Sequence, residues 1–493
     1  MTNHTETRRL STGCAGLDEI LAGGLPTERS YLVIGAAGTG KTILSVQWLR
    51  EGLARGEKVM YVTLMEPATR IERNLASFGW TMAGIEMVDP VPRGQVEVRP
   101  GEEYQVFAPN EVERVSVWKG IYDAVKTRRP ARLVIDSVTQ LRYLSTDEYQ
   151  FRKHLLHLLA FLNELGCTTL LPFEPDEARA ERAVELAVDG VLQLKYQIST
   201  NLSIGLRTVE VTKLRASDFM TGYHAFRFTR NGIEVYPHRV EHTADSGGQH
   251  PQLATGIGEL DDLLGGGIEA GTVTLLSGPT GVGKTTLGMQ LLCALPAGER
   301  AALLTFEESR DTVLARARGI GLPAEHAIDR GDLEIRRINP LEHYPDELLA
   351  IVRDMVERQG VRYFMLDSLR GYELAMQEFG RPQMHVHNLL AYLSRMQVTT
   401  LVVAETDTIT GSELTATEIG VSHLADNIVL LRYAEHRAQL IKVIGCLKKR
   451  LGGFQPELRE MSMTSKGIRI SAKLEALRGI LTGTPTLAET RHP

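Results

Sequence analysis

The stretch "TGIGELDDLLGGGIEAGTVTLLSGPTGVGKT", residues 255–285, runs through an apolar strand pattern, "TVTLLS", into a glycine-rich loop closed by Lys-Thr. Residues 12–42, "TGCAGLDEILAGGLPTERSYLVIGAAGTGKT", repeat it, which places Lys41 and Lys284 243 residues apart. Further matches follow in the same order: "YVTLMEPATRI" with "LLTFEESRDTV", "LVIDSVTQL" with "FMLDSLRGY", "TTLLPFE" with "TTLVVAE", and "LAVDGVLQLKY" with "LADNIVLLRY". A period this long belongs to a whole domain, not to a solenoid unit. Two tandem domains are therefore expected, residues 1–240 and 241–493. The polar stretch "YPHRVEHTADSGGQHPQLATG" serves as a linker near 237–252.

Within each half, apolar runs of four to seven residues alternate with helical patterns such as "YQFRKHLLHLLAFLNELG" and "QMHVHNLLAYLSRMQ". Each half thus reads as α/β, a mainly parallel twisted sheet flanked by helices. The composition is that of a globular protein, 43% hydrophobic and 24% charged, and the net charge of −6 leaves no broad basic surface for nucleic acid. Cys14, Cys167, Cys293 and Cys446 lie far apart without CxxC spacing, which indicates neither a zinc site nor a disulfide framework and fits a reducing, cytoplasmic compartment. The N-terminus lacks an apolar signal region, and no apolar run approaches the roughly 18 residues that span a bilayer.

"GAAGTGKT" (35–42) and "GPTGVGKT" (278–285) both satisfy GxxxxGK[ST], each after an apolar strand and before a helical pattern. In such a loop backbone N–H groups curl around phosphates, here those of Gly35, Gly38, Thr39 and Gly40 and of Gly278, Thr280, Gly281, Val282, Gly283 and Thr286. Lys41 and Lys284 are expected to reach the β and γ phosphates of ATP, and Thr42 and Thr285 to ligate Mg²⁺. The carboxylates that complete the Mg²⁺ sites are assigned to Asp136 and Asp367, which end the runs "RLVID" and "YFMLD". In "LLTFEES", Glu307 and Glu308 fall at the C-terminal edge of a strand, where ligands of open α/β sheets bind. They are the candidates to orient and deprotonate the nucleophile. Glu174 and Glu405 end a further pair of equivalent strands, a place where carboxylates are often simply solvated. His154, His157, His385 and His387 sit on amphipathic helices without partners at ligand spacing, so core or surface roles are expected of them.

These residues resemble the two-domain KaiC-type ATPases of the RecA superfamily. The resemblance rests on the doubled TGxxxLDxxLxGG approach to the loop, the paired glutamates of "TFEESR", and the K-x-R patterns Lys213/Arg215 and Lys448/Arg450. It implies two RecA-like P-loop domains, a homohexamer of stacked rings, and ATP held between subunits with the K-x-R residues acting in trans on the neighbour's γ-phosphate. At the strand ends of Glu174 and Glu405 the superfamily resemblance implies γ-phosphate sensors. It also implies Ser/Thr autophosphorylation in the C-terminal ring, used in timing or signalling, and a regulatory protein partner, KaiB-like or other. The matching segment here is "TATEIGVSHLADN", which makes Ser422 and Thr417 the candidate phosphosites; His423 stands at the neighbouring phosphothreonine position and Glu185 at the first repeat's equivalent of Ser422. With "TLAETRHP" as the whole tail after "TGTP", a long C-terminal docking extension is not expected.

Two other readings compete with that one. A nucleic-acid motor of the same superfamily would need basic and aromatic contacts, and the charge of −6 with only "KKR" (448–450) as a cluster argues against it. A nucleotide-gated scaffold would hold ATP without needing turnover. Aligning the repeats also sets Met65 against Glu307 and Glu66 against Glu308. A thioether cannot accept a proton from water, so the first domain is expected to bind Mg-ATP through Lys41, Thr42 and Asp136 and hydrolyse it poorly, with Glu66 as its remaining loop carboxylate.

Overall fold

The computed structural model describes residues 8–90, 111–143, 145, 147–175, 181–198, 205–239, 250–339, 342–376, 382–406, 421–436, 438–475, 477–478 and 486–487. The chain divides into two compact units, Met1–His238 and Arg239–Pro493. Each holds one nine-stranded sheet with helices on both faces, so the α/β class and the doubling expected from the repeats are both present.

In the first unit the sheet runs from edge to edge through Gly232–Tyr236, Tyr223–Thr229, Gly205–Leu214, Gly190–Ile198, Ser30–Ile34, Thr168–Phe173, Arg132–Asp136, Val59–Thr63 and Glu86–Val88. In the second the corresponding order is Gly467–Lys473, Leu458–Thr464, Gln439–Lys449, Asn427–His436, Val273–Gly278, Thr399–Glu405, Tyr363–Asp367, Ala301–Thr305 and Leu333–Arg337. The strand before each glycine loop is central and pairs in parallel on both sides. The first four strands of each order pair antiparallel with one another and extend the parallel part beyond Gly190–Ile198 or Asn427–His436.

Continuous apolar runs form these central strands because both faces are covered. Along "SYLVI", Tyr31 and Val33 enter one core layer while Leu32 and Ile34 enter the other. The same alternation puts Leu276 in one layer of the second unit and Val273 and Leu275 in the opposite one. With both faces fixed by burial, a one-residue slip would turn every side chain to the wrong layer, so the position of each strand's C-terminal end is strongly specified.

That specification sets the site. Thr63 lies opposite Asp136, and Thr305 opposite Asp367, at the carboxyl ends of parallel strands. Just beyond, the Leu64 N–H donates to the Asp136 carbonyl at 2.8 Å and the Phe306 N–H to the Asp367 carbonyl at 3.0 Å, so both loops leave the sheet in the same way. A β-bulge also recurs: the register shifts between Val191 and Leu192 in one unit and between Ile428 and Val429 in the other, opposite Lys213 and Lys448. Bulges of this kind re-aim a side chain at a functional edge.

The two approaches to the loops differ in one tight contact. The helix Ala15–Ile20 lies so close to Gly232–Tyr236 that a Cβ on Gly16 would stand 1.8 Å from the Val235 carbonyl oxygen. Replacing Gly16 by alanine forces the helix off its strand, at a cost of about 2 kcal/mol or more. A Gly16→Ala protein is expected to show a lowered melting transition for its first unit, measured by differential scanning calorimetry, while the equivalent Glu259→Ala leaves the second unit's transition in place.

Candidate functional site

Each glycine loop joins a buried strand to a helix, Lys41–Ala54 or Lys284–Cys293, whose N-cap glycine is left-handed: Gly40 at φ 107° and Gly283 at φ 116°. A side chain there is doubly excluded, since a Cβ on Gly40 would meet the Phe228 ring at 2.6 Å and one on Gly283 the Met463 Cε at 2.3 Å. The result is a run of N–H groups at a helix N-terminus, an arrangement that attracts anions.

The lysines are nearly buried and folded back over their loops. The Lys41 ammonium donates to the carbonyls of Gly35 at 2.7 Å and Ala36 at 3.0 Å, and pairs with the Glu174 carboxylate at 3.2 Å. That of Lys284 donates to the carbonyls of Gly278 at 2.8 Å and Pro279 at 2.9 Å. Burial lowers the Lys284 pKa from its ordinary value, and the carboxylates of Glu405, Asp367 and Glu307 oppose that shift.

The assigned Mg²⁺ ligands come together in both units. The Thr42 hydroxyl donates to Asp136 Oδ2 at 3.1 Å, and the Tyr61 hydroxyl donates to the same oxygen. Thr285 hydrogen-bonds the Asp367 carboxyl, which burial pushes up to about 6, the charges of Glu308 and Glu307 adding to the rise and Lys284 offsetting it. Asp136 is raised as well, by burial first, against the hydrogen bonds of Tyr61 and Thr42.

A cleft of about 410 Å³ in the second unit is lined by Thr280, Gly281, Gly283, Lys284, Thr285 and Thr286 from the loop, and by Glu307, Glu308, Asp367 and Glu405. The first unit's cleft, about 340 Å³, is lined by Gly38, Gly40, Lys41 and Thr42 together with Met65, Glu66, Asp136 and Glu174. Other loop residues act from beneath. Gly35 and Gly278 contribute carbonyls to the lysines, the Thr39 hydroxyl donates to Ala36 at 2.8 Å, and the Val282 side chain turns into the core.

The tips of the strand-end loops differ most. Met65 is 63% exposed, so a methionine at the end of a buried strand is no core filler here. Glu66 pairs with Arg70 at 3.6 Å. In the second unit the exposed Glu307 accepts from the Ser368 hydroxyl at 3.3 Å, and Glu308 is paired with Arg316. Arg316, Lys442 and Ser368 line that cleft without having been singled out in the sequence. Glu174 and Glu405, which read as solvated strand ends as readily as phosphate sensors, line the clefts and engage Lys41 and the Thr280 hydroxyl, the latter at 3.3 Å.

The K-x-R residues do not line their own unit's cleft. The Lys213 ammonium donates to the carbonyls of Glu185 at 2.7 Å and Val188 at 2.6 Å, that of Lys448 to Ser422 at 3.3 Å and Ala425 at 2.6 Å. Arg215 lies 4.0 Å from Asp189 and Arg450 2.9 Å from Asp426, their side chains 56% and 55% exposed. Ser422 is half-buried in a short turn, Val421–His423, whereas Thr417 lies outside the described residues.

A family model for the KaiC ATPase matches this chain twice, over residues 10–240 and 253–475. The circadian clock protein KaiC3 of Synechocystis sp. is 28% identical over 489 residues, spanning 97% of this chain and 94% of its own. The circadian clock oscillator protein KaiC of Synechococcus elongatus is 29% identical over 501 residues, 98% of this chain and 93% of its own. That of Prochlorococcus marinus is 29% identical over 496 residues, 97% and 95% respectively.

The Asp367 shift carries a sign that can be measured. Between the ordinary value of 3.8 and about 6 the folded chain holds a proton that the unfolded chain releases. Its contribution to stability is therefore full below about pH 4 and lost as pH rises through about 6. Without metal or nucleotide, Asp367→Asn is expected to gain stability relative to the parent as pH is raised from 4.5 to 7, by about 2 kcal/mol for a shift of some two pKa units. Thermal melts of both proteins in chelator across that range check the sign.

Proposed function

The chain belongs to the KaiC family of ATPases, and from that premise we propose that it is a homohexameric Mg-ATP hydrolase with two nucleotide sites per chain, the second of which performs most of the turnover. One observation carries this reading: the binding elements are present in both clefts, but the exposed carboxylate Glu307 is replaced in the first by Met65.

The residues take the following roles. The glycine-loop N–H groups and Lys41 or Lys284 bind the phosphates. A hydroxyl beside a carboxylate, Thr42 with Asp136 and Thr285 with Asp367, is the hard-oxygen set that Mg²⁺ favours, leaving phosphate and water to complete its shell. When bound there, the ion would neutralise charge developing on the phosphates. Glu307 accepts the proton of the attacking water and Glu308 supports it. In the first unit Glu66, drawn toward Arg70, is the loop carboxylate that remains.

Lys213, Arg215, Lys448 and Arg450 serve the neighbouring copy's nucleotide. Their absence from their own clefts supports this, as do the exposed guanidinium groups of the two arginines. Autophosphorylation is assigned to the second unit, on Ser422 or Thr417. The Ser422 carbonyl accepts from Lys448, which sets that serine beside the trans-acting residues. The relatives are named as circadian clock proteins, and by that likeness we read the chain as a cytoplasmic timing or signalling protein with a regulatory protein partner. Among the described residues no helix is long and apolar enough to cross a membrane. The net charge of −6 favours this reading over a nucleic-acid motor.

Two measurements test the proposal. Glu307→Gln is expected to lower total ATP turnover at least tenfold, the usual minimum loss for a removed general base being about 10²-fold at the affected site, while Glu66→Gln changes it less than twofold. The reverse ranking would refute the division of labour. Mass spectrometry after incubation with Mg-ATP is expected to find phosphate on Ser422 or Thr417 in the parent and none in Glu307→Gln. An unmodified parent would remove the kinase role and leave a hydrolase.

A further inference from the structure

The second cleft holds one more carboxylate than the first, Glu307, Glu308, Asp367 and Glu405 against Glu66, Asp136 and Glu174. Like charges gathered in one low-dielectric cleft oppose one another. The second cleft also has two cations that the first lacks, Arg316 and Lys442, and of these Arg316 pairs with a carboxylate while Lys442 donates to the Gly281 carbonyl. The shared exits of the two loops, Leu64 onto Asp136 and Phe306 onto Asp367, set the repeats in register and place Asn74 where the second unit has Arg316. Both line their clefts. The positions change together, Met65 with Asn74 and Glu307 with Arg316.

The geometry of the pair is specific. Glu308 precedes the helix Arg310–Gly319, and Arg316 stands two turns along it. Long helical side chains lean toward the N-terminus, which brings this guanidinium back to the carboxylate at the helix entrance. Arg316 Nη2 donates to Glu308 Oε1, while Oε2 of the same carboxylate is buried with no hydrogen-bond partner. Glu66 instead pairs at the surface with Arg70, one turn away.

We propose that Arg316 is a positioning residue for ATP hydrolysis in the second unit. By holding one oxygen of Glu308 it fixes that carboxylate in the wall of the cleft, offsets the extra negative charge, and leaves Glu307 as the carboxylate free to take the proton. It acts through Glu308 and not by contact with the nucleotide. The role rests on the reading that this cleft hydrolyses ATP.

The test is a double-mutant cycle in the full-length chain, with Arg316→Gln, Glu308→Gln and their combination assayed for kcat and KM and for affinity toward a non-hydrolysable Mg-ATP analogue. Arg316→Gln is expected to lower kcat about tenfold or more, as displacement of a catalytic group does, with analogue affinity changed less than about threefold. The double variant should be no slower than Glu308→Gln alone, and Arg316→Lys should recover most of the lost kcat. Loss of analogue binding that persists in the Glu308→Gln background would overturn the role in favour of a direct phosphate contact, and an unchanged kcat would overturn it outright. Glu307→Gln in the same assay separates the two readings. Full turnover there removes hydrolysis from this cleft and the role with it, whereas lost turnover there beside a wild-type rate for Arg316→Gln removes the role alone.

Discussion

A nearly buried ammonium organises each unit. Lys41 and Lys284 are 7% and 5% exposed, and each is held by two carbonyls of its own loop. Those carbonyls offset part of the cost of desolvating the charge but supply no counter-charge, and a buried cation without one is expensive. The counter-charges come from strand ends that the parallel sheet brings to the same edge, Asp136 and Glu174 in one unit and Asp367 and Glu405 in the other. The lysine thus dictates both the curl of the loop and the ring of carboxylates facing it. A phosphate arriving there meets N–H groups already aligned, so little must reorganise on binding.

The carboxylates differ in how firmly the fold holds them. Asp136 and Asp367 end buried strands whose register both core layers enforce, and each bonds a loop threonine. Met65, Glu66, Glu307 and Glu308 sit two or three residues beyond the last ladder pair, on loops anchored not by these side chains but by the buried Leu64 and Phe306 and the hydroxyls of Thr63 and Thr305. What such a side chain does depends on neighbours supplied from elsewhere, Arg70 and Asn74 for one loop and Arg316 and Ser368 for the other. The sheet thus fixes the aspartates, whereas the loop-tip side chains are left to their surroundings.

The same distinction explains what the sequence made legible. The doubled glycine loops, the apolar strands and the aspartates that end them follow local patterns, and the two nine-stranded sheets match that reading. Arg316 escaped because its partner lies two turns away on a helix whose apolar periodicity says nothing about its polar face. Glu174 and Glu405 stayed ambiguous because a strand-end carboxylate looks the same in sequence whether it meets water or a buried lysine. Tyr61 drew no notice in the sequence, yet its hydroxyl donates to Asp136 from within a wholly buried strand. In each case the missing information was a long-range contact that only the closed sheet creates.

The methionine at the first loop's tip follows from these constraints. Replacing a core residue or a loop glycine would create a cavity, a clash or an uncompensated charge, and a duplicated domain cannot drift at such places without losing its fold. A side chain 63% exposed at position 65 carries no such penalty, since no core contact depends on it. An uncharged side chain there adds no repulsion around Asp136. The loop tip is therefore the position that the fold defends least. Physical chemistry alone makes it, rather than a strand end or a glycine loop, the easiest place for two repeats of one fold to differ, as Met65 and Glu307 do.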